Sequence, residues 1–538
     1  MSASYSKCGQ VWMLMKKLYL LFAVLLLVFS AIACTPSVDN PADFEQTTEN
    51  PTEQWFKPEA DTRTLNDSSM PQFSGKPRLI VVQDGEVDDK NSLVHTLLYA
   101  NDIDIEGIVQ TSSVLHYSGD GAVAAKRWMG TDWVYDYLDA YASVYENLIV
   151  HDPNYPDPEY LRSVTMVGNI KRPNDTEEET DGSNLIMERI LVTDERPLYI
   201  EIGGGVNTVA RALMSIEETY KDTAEWNELY ARICENVICF SFGVQDSSYT
   251  DYIQPNWPRM RFVDVSGTAN TYGYKWGSVQ TLSALSKEHL SSEWMKENLL
   301  DGTGVLLDHY VTWGDGTYLE GEADSDQYGI NEDLLNTKGW WGTYKHQRYD
   351  FLSEGDSPAW MALVPNGLRT LEDLSYSGWA GRFESQENGA IRYFNSADGV
   401  GMSIWVAAIQ SDFAMRAKWC VADSYDKANH LPSACVLEGT NLTAEPGETV
   451  VLHSSATDPD GDAVRFAWYQ DPYSDTYIEW LDEFEEIITI AISTDNDTAS
   501  FVVPEDAKSG DTIHIILECI DSGGTNPSAF QRIIVKVK

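Results

Sequence analysis

The feature that most constrains this chain is a short apolar run, Leu79-Ile80-Val81-Val82, that stops abruptly at Gln83-Asp84-Gly85-Glu86-Val87-Asp88-Asp89 and leads into the helix-like residues 90–100. Consecutive large apolar residues without alternation read as a strand buried on both faces, the habit of a parallel sheet covered by helices. A strand of that kind discharging three aspartates and a glutamate makes an oxygen-rich pocket, and clustered charge there is costly without a partner. Hard cations such as calcium prefer such sites. The alternative is a solvated acidic loop in an acidic protein.

The same grammar recurs downstream. Residues 92–100 read as a helix with Leu93, Leu97 and Leu98 on one side, and 103–109 as the next strand. A second unit has a strand at 198–202, the turn Gly203-Gly204-Gly205, a helix at 207–216 and a strand at 236–242. Two strand-helix-strand units predict a mostly parallel sheet with helices on its faces. Ligands of such sheets bind outside the carboxyl ends of the strands. Residues 84–89, 110–116, 203–207 and 243–246 all follow expected strands and carry polar side chains. The glycine run lacks the spacing of a dinucleotide fingerprint and reads as a tight, closely packed turn.

Asp84, Asp88 and Asp89 fall on the last three aspartates of Asp-x-Asp-x-Gly-x-Asp-Asp, so the chain resembles the nucleoside hydrolase superfamily. Val82 replaces the first aspartate, and Glu86 stands where glycine or asparagine is usual. The version here is more similar to the nucleoside-hydrolase-like domain of bacterial proteins described as cellulose-binding. Further matching pieces are Gly203-Gly204-Gly205-Val206-Asn207-Thr208, Gln245-Asp246, Glu354-Gly355-Asp356-Ser357-Pro358 and Gly378-Trp379-Ala380-Gly381-Arg382-Phe383.

The resemblance implies cleavage of a glycosyl bond by direct attack of an activated water, with inversion, through an oxocarbenium-like state that negative charge and a calcium ion stabilise. It implies Asp84 as the general base and a calcium ligand, Asp89 and Asp356 as further ligands, and Asp88 as acceptor for a sugar hydroxyl. The Asp356 motif also reads as a helix amino-terminal cap. Asn207, Gln245 and Asp246 are candidates for sugar or metal-shell contacts, or else polar turn residues. Gly355 replaces the histidine or tryptophan that relatives carry just before the late aspartate, so Glu86 is the expected acid for the leaving group. His95 and His116 are the alternatives for that acid: His116, after a strand end, could line the mouth, whereas His95 sits in an apolar helix and reads as packing.

At 538 residues the chain exceeds one ordinary core of about 150 residues. A second start at Met15, Lys16-Lys17, the apolar residues 18–32 and Ala33-Cys34 read as a signal peptide over 1–33. Its apolar part is short for a membrane span. Its end resembles a bacterial lipobox, which implies lipidation of Cys34 and a cell-envelope address, the membrane being met through that anchor alone. Residues 34–75 are polar and read as a disordered tether. A net charge of −47 makes nucleic acid an improbable partner and repels polyanionic glycans. Cys234 and Cys239 read as buried hydrophobes. Cys435 and Cys519 fall at opposite ends of the last module and could bridge it.

The expected nucleoside-hydrolase-like domain spans 76–425 and a linker 426–433. Over 434–538, short period-two runs at 450–453, 464–469, 487–492, 499–503, 513–520 and 533–537 predict a β-sandwich. Asp458-Pro459-Asp460-Gly461-Asp462 followed by Trp468 resembles the turn and core tryptophan of polycystic-kidney-disease-type immunoglobulin-like domains. The fold class expected is therefore α/β, a mostly parallel helix-covered sheet, followed by a small all-β sandwich. The activity expected is a calcium-dependent glycosyl hydrolase acting on an extracytoplasmic carbohydrate or nucleoside-like substrate. The second reading is a non-catalytic carbohydrate-binding lipoprotein.

Overall fold

In the computed structural model, which describes residues 68–385, 393–396, 400–477, 480–481, 486–487 and 489–538, strand β1 (Arg78–Gln83) is buried along its whole length. It pairs in parallel with β2 (Asp104–Gln110) on one side and β4 (Leu198–Ile202) on the other. With β3 (Thr165–Val167), β5 (Val237–Ser241), β6 (Arg261–Asp264), β7 (Phe383–Ser385) and β8 (Tyr393–Ser396) these form one sheet ordered β3-β2-β1-β4-β5-β6-β8-β7. All its pairings are parallel except β7 with β8. The chain runs outward from β1 through β2 to β3, then returns to the other side of β1 for β4 and continues outward. The strand order therefore reverses between β1 and β4, the switch point at whose carboxyl edge doubly wound sheets place their ligand crevice.

Helices cover both faces. One face buries Leu79 and Val81 of β1 against Leu93, Leu97 and Leu98, from α1 (Val87–Leu97) and its end, and against α2 (Trp133–His151). The other buries Ile80 and Val82 against α3 (Asp181–Leu191), α4 (Asn207–Tyr220) and α5 (Trp226–Asn236). Val82, at the position of the missing first aspartate, belongs to this second core. Alternate residues of β1 thus enter opposite cores, which accounts for an apolar run without a polar face. Between β6 and β7 most of the chain is irregular, with the short helix α6 (Ser357–Met361) as the element nearest the crevice. α7 (Val406–Trp419) follows the sheet.

Helix α1 starts earlier than expected, at Val87, because Glu86 takes the N-cap position with extended backbone angles. Asp88 and Asp89 therefore stand in the first turn of a helix, where the amide dipoles favour negative charge. Residues 68–75 are not free tether: the amide of Met70 donates to Glu372 O, that of Leu374 donates to Ser68 O, and Met70 is buried in the core. The expected signal segment, Cys34 and the rest of the tether lie outside the described residues. Among the described residues no helix is long and apolar enough to cross a membrane.

The C-terminal part is two four-stranded sheets. One has the order β10-β18-β17-β12, from β10 (Asn441–Ala444), β12 (Val464–Gln470), β17 (Thr512–Asp521) and β18 (Ser528–Val537). The other has the order β15-β16-β11-β9, from β9 (Ser433–Val436), β11 (Thr449–Thr457), β15 (Ser493–Asp495) and β16 (Thr498–Val502). Trp468 is buried in the core they share. The strand expected over 487–492 is not formed: Glu486–Ile487 (β14) pairs only with Trp480–Leu481 (β13), and 489–492 has no strand partner. Cys435 and Cys519 carry free thiols, because Cys435 points outward from β9 while Cys519 is buried on the opposite sheet.

Sandwich and α/β unit share a buried seam. Arg532 is fully buried; its guanidinium donates to Leu368 O at 2.7 Å, Ser377 O at 2.6 Å and Asp471 Oδ2 at 2.9 Å. Asp471 also accepts from Ser377 Oγ at 2.9 Å, and Trp405 packs edge-on against Phe530.

Candidate active site

β2, β1, β4 and β5 are neighbours in the sheet and end at one edge, so the four polar strand ends converge. Backbone hydrogen bonds lace them together: the amide of Thr111 donates to Gln83 O, Gly203 to Val82 O, Gly205 to Ser112 O, Phe242 to Ile202 O and Val114 to Gln245 O. The loops are thereby fixed relative to one another before any side chain is considered.

On this frame Asp84, Asp88, Asp89 and Asp356 are all buried. Carboxylate oxygens of Asp88, Asp89 and Asp356 lie within 4.8 Å of one another. Asp356 stands at the N-cap position of α6 but makes no capping hydrogen bond with its side chain. Its carboxylate turns to the cluster instead, and its Oδ1 is buried without a hydrogen-bond partner. Burial and mutual repulsion push the carboxyls of Asp89 and Asp356 far above the usual range, and burial together with Asp84 raises Asp88 to about 7. Hard oxygen donors alone, crowded in a dry pocket, are the donor set of a Ca²⁺ or Mg²⁺ site.

Asp84, expected as a ligand, is not one of these three. Its Oδ1 accepts from the Glu86 amide at 3.3 Å, its own amide donates to Asp89 Oδ1 at 3.2 Å, and its Oδ2 faces His116 Nδ1 at 3.7 Å. Asp88, expected to hold a sugar hydroxyl, takes the place in the cluster because the first turn of α1 aims it there beside Asp89.

His116 is buried between acids: Nε2 donates to Glu322 Oε1 at 2.7 Å, and Nδ1 lies 3.9 Å from Glu86 Oε2. Burial disfavours its charge, but Asp84, Glu322 and Glu86 together hold its pKa up at about 10. Burial would raise Asp84, and the His116 cation overrides it, so Asp84 is held low. Glu86 is pushed well up by burial and by the charge of Asp88. The two carboxyls flanking one imidazolium are thus driven apart, Asp84 downward and Glu86 upward, the direction that separates base from acid. Tyr274 donates its hydroxyl to Glu86 Oε1 at 3.2 Å.

Glycines make this crowding possible. A Cβ on Gly203 would lie 2.7 Å from Asp89 Oδ1 and 2.8 Å from Asp356 Cγ; one on Gly204 would lie 2.8 Å from Asp84 Cβ. Gly355 is glycine for a related reason: its Cβ would meet Asp88 Oδ2 at 2.7 Å and the Phe242 ring at 2.9 Å.

Asn207 and Asp246, read as ligand contacts or else as polar turn residues, both hold loops and helix ends. Asn207 Oδ1 accepts from Thr111 Oγ1, and its Nδ2 lies within hydrogen-bond reach of Ser112 Oγ, Asn169 O and Asp175 O, so its side chain ties these loops together. Asp246 accepts from the amides of Asn207 and Ser248 and so holds the start of α4. Gln245 donates its side-chain amide to Gly203 O beside the cluster. His95 Nδ1 is hydrogen-bonded to Glu354 Oε2 at 2.7 Å and its ring is stacked on Phe413, outside the carboxylate group. Glu322, Tyr274, Lys90 and Glu201 were not singled out in the sequence. Lys90 is buried in α1 within the field of Glu322, Asp89 and Glu86. Glu201 is fully buried in β4, with neither carboxylate oxygen hydrogen-bonded.

Residues 78–383 match the family described as cellulose-binding Sde182, nucleoside hydrolase-like domain. The chain belongs to this family. Residues 449–537 match the family's C-terminal domain, described as that of cellulose-binding protein Sde0182. A solved structure described as a nucleoside hydrolase-related hypothetical protein from Saccharophagus degradans, associated with carbohydrate metabolism, shares the fold. It aligns over 86% of this chain and 100% of its own at 24% identity, with a TM-score of 0.63. Domain 1 of VCBP3 from Branchiostoma floridae aligns with 20% of this chain and 95% of its own at 10% identity; its TM-score of 0.14 carries no argument. No curated protein matches the chain.

Proposed function

We propose that this member of the family is a divalent-cation-dependent hydrolase of glycosyl bonds, N-glycosyl or furanosyl O-glycosyl, acting by direct attack of water with inversion on an extracytoplasmic carbohydrate. The observation that carries the reading is the convergence of Asp88, Asp89 and Asp356 oxygens within 4.8 Å in a buried pocket, next to a pair of carboxyls, Asp84 and Glu86, that share one imidazolium.

Asp88, Asp89 and Asp356 would hold the cation, calcium being the first candidate for an all-oxygen donor set. When bound, it would offset their repulsion and supply a Lewis-acidic anchor for sugar hydroxyls. Asp84, kept ionised by His116, takes the proton from the attacking water. Glu86, kept protonated, delivers a proton to the departing group and is the more open of the two, its side chain 23% exposed. Lipidation at Cys34 belongs to the same proposal and is tested by labelling cells with a clickable fatty acid and comparing Cys34→Ser.

The decisive experiment is Asp84→Asn assayed on aryl furanosides and nucleosides with calcium present. Loss of turnover by about 10²-fold or more supports the reading, and unchanged turnover sinks it. The family description favours a second reading, a carbohydrate binder without turnover. A binder keeps its affinity for a soluble glycan such as cellohexaose in Asp84→Asn and shows no hydrolysis in the wild type.

A further inference from the structure

Next to Glu86, an aromatic block leads out of the site. Val87, the residue after Glu86, packs in one cluster with Tyr274, Val311, Trp313, Leu319, Tyr328, Trp341 and Leu352, all buried. Trp340 stands at the outer end of this block and is 54% exposed, whereas its neighbour Trp341 is 4% exposed. Its ring packs edge-on against two others: 4.8 Å from Tyr274 at 64° and 6.2 Å from Trp341 at 74°. Lys275 Nζ lies 5.8 Å from the indole centroid. Tyr274 therefore touches both Trp340, through its ring, and Glu86, through its hydroxyl.

A large indole that is both exposed and held in one orientation has low ordering cost on meeting a ligand, and its face is apolar with a negative quadrupole. The C–H faces of a sugar ring match such a surface, while the sugar's hydroxyls stay free for water and for Lys275. The chain's net charge of −47 turns away phosphorylated or sulfated ligands and leaves neutral ones. Because the platform is reached through Tyr274 from Glu86, it lies on the side of the bond where the proposed acid works.

We propose that Trp340 is a stacking platform for a neutral sugar residue on the leaving-group side of the scissile bond. The substrate is then an oligosaccharide or a sugar-linked glycoside, not a free nucleoside. This rests on the glycosyl-hydrolase reading above and adds to it the class of leaving group. Trp340 lies outside the cation cluster of Asp88, Asp89 and Asp356.

The test is calorimetric titration of the full chain, in calcium, with cellohexaose and with inosine. Trp340→Ala should weaken cellohexaose binding about tenfold and Trp340→Phe less than about threefold, with calcium affinity unchanged. Trp340→Gln repeats the measurement with a polar surface residue of similar reach, in case the alanine variant does not fold. Cellohexaose binding equal to wild type in both Trp340→Ala and Trp340→Gln overturns the platform and leaves the carbohydrate reading standing. A wild-type chain that takes up inosine but no cellohexaose, or neither, overturns the carbohydrate reading and the platform with it.

Discussion

Asp84 Oδ2 and His116 Nδ1 face each other at 3.7 Å, and both are buried without a hydrogen-bond partner. The distance is too long for a hydrogen bond and short enough for strong attraction between ions in a dry site. His116 thus acts on Asp84 through charge.

Removing that charge should move the acid limb of activity. Asp84 is held low by His116, so in His116→Gln its pKa should rise, and the ionised form, proposed above to accept the water's proton, should disappear at higher pH than in the wild type. The acid limb of the kcat/KM profile should shift upward by about one pH unit or more. A limb that stays in place would mean that another group governs it.

Cation binding separates the carboxylates by role. Asp89→Ala should abolish calcium binding measured by calorimetry, because it opens the three-residue cluster. Asp84→Asn should keep affinity within about tenfold, because its oxygens face His116 and the Glu86 amide outside the cluster. Equal losses in both would put Asp84 back among the ligands.

Glu86→Gln should discriminate between leaving groups. A general acid contributes about 10²–10⁴-fold when the leaving group is poor and far less when it departs unaided. Hydrolysis of alkyl or sugar-linked substrates should fall steeply and that of nitrophenyl substrates little. Parallel losses would make Glu86 a part of the pocket wall.

The seam between sandwich and α/β unit should respond to acid. His514 accepts from Arg532 through Nδ1 at 3.1 Å, and burial, with the Arg532 charge, depresses its pKa to about 3. The unfolded chain binds this proton below about pH 6.5 and the folded chain does not, so stability is lost as pH falls from about 6.5 towards 3 and is fully present above that window. The slope from this one group is up to about 1.4 kcal/mol per pH unit, and His514→Gln should flatten thermal unfolding in that range. Arg532→Ala, which strands the buried Asp471, should cost about 3–5 kcal/mol at neutral pH. A chain ending at residue 425 that melted like the full protein would show the seam to be energetically idle.

The parallel sheet and its four polar ends were legible because uninterrupted apolar strands and glycine turns leave a local signature. Asp88, Asp89 and Asp356 were legible through their motifs. The assignment of Asp84 and Asp88 within the pocket was not, since it turns on whether α1 begins before or after Asp88, and only Glu86 at the N-cap decides that. Glu322 and Tyr274 come from the irregular stretch between β6 and β7, where no period marks them. Glu201 hides as one acid inside an apolar strand. Asn207 was open to two readings: a polar residue after a glycine turn can face a ligand or tie loops together, and here its side chain reaches Thr111, Ser112, Asn169 and Asp175 of neighbouring loops.

Gly203, Gly204 and Gly355 have no side chain to offer, yet each marks a volume that a carboxylate of the pocket already fills. In a deep mutational scan read out by divalent-cation binding, alanine at these three positions should be tolerated as poorly as substitution of the acids themselves. A search for distant relatives keyed only to reactive groups would pass over them, whereas one keyed to vacant Cβ space would find the site by its outline.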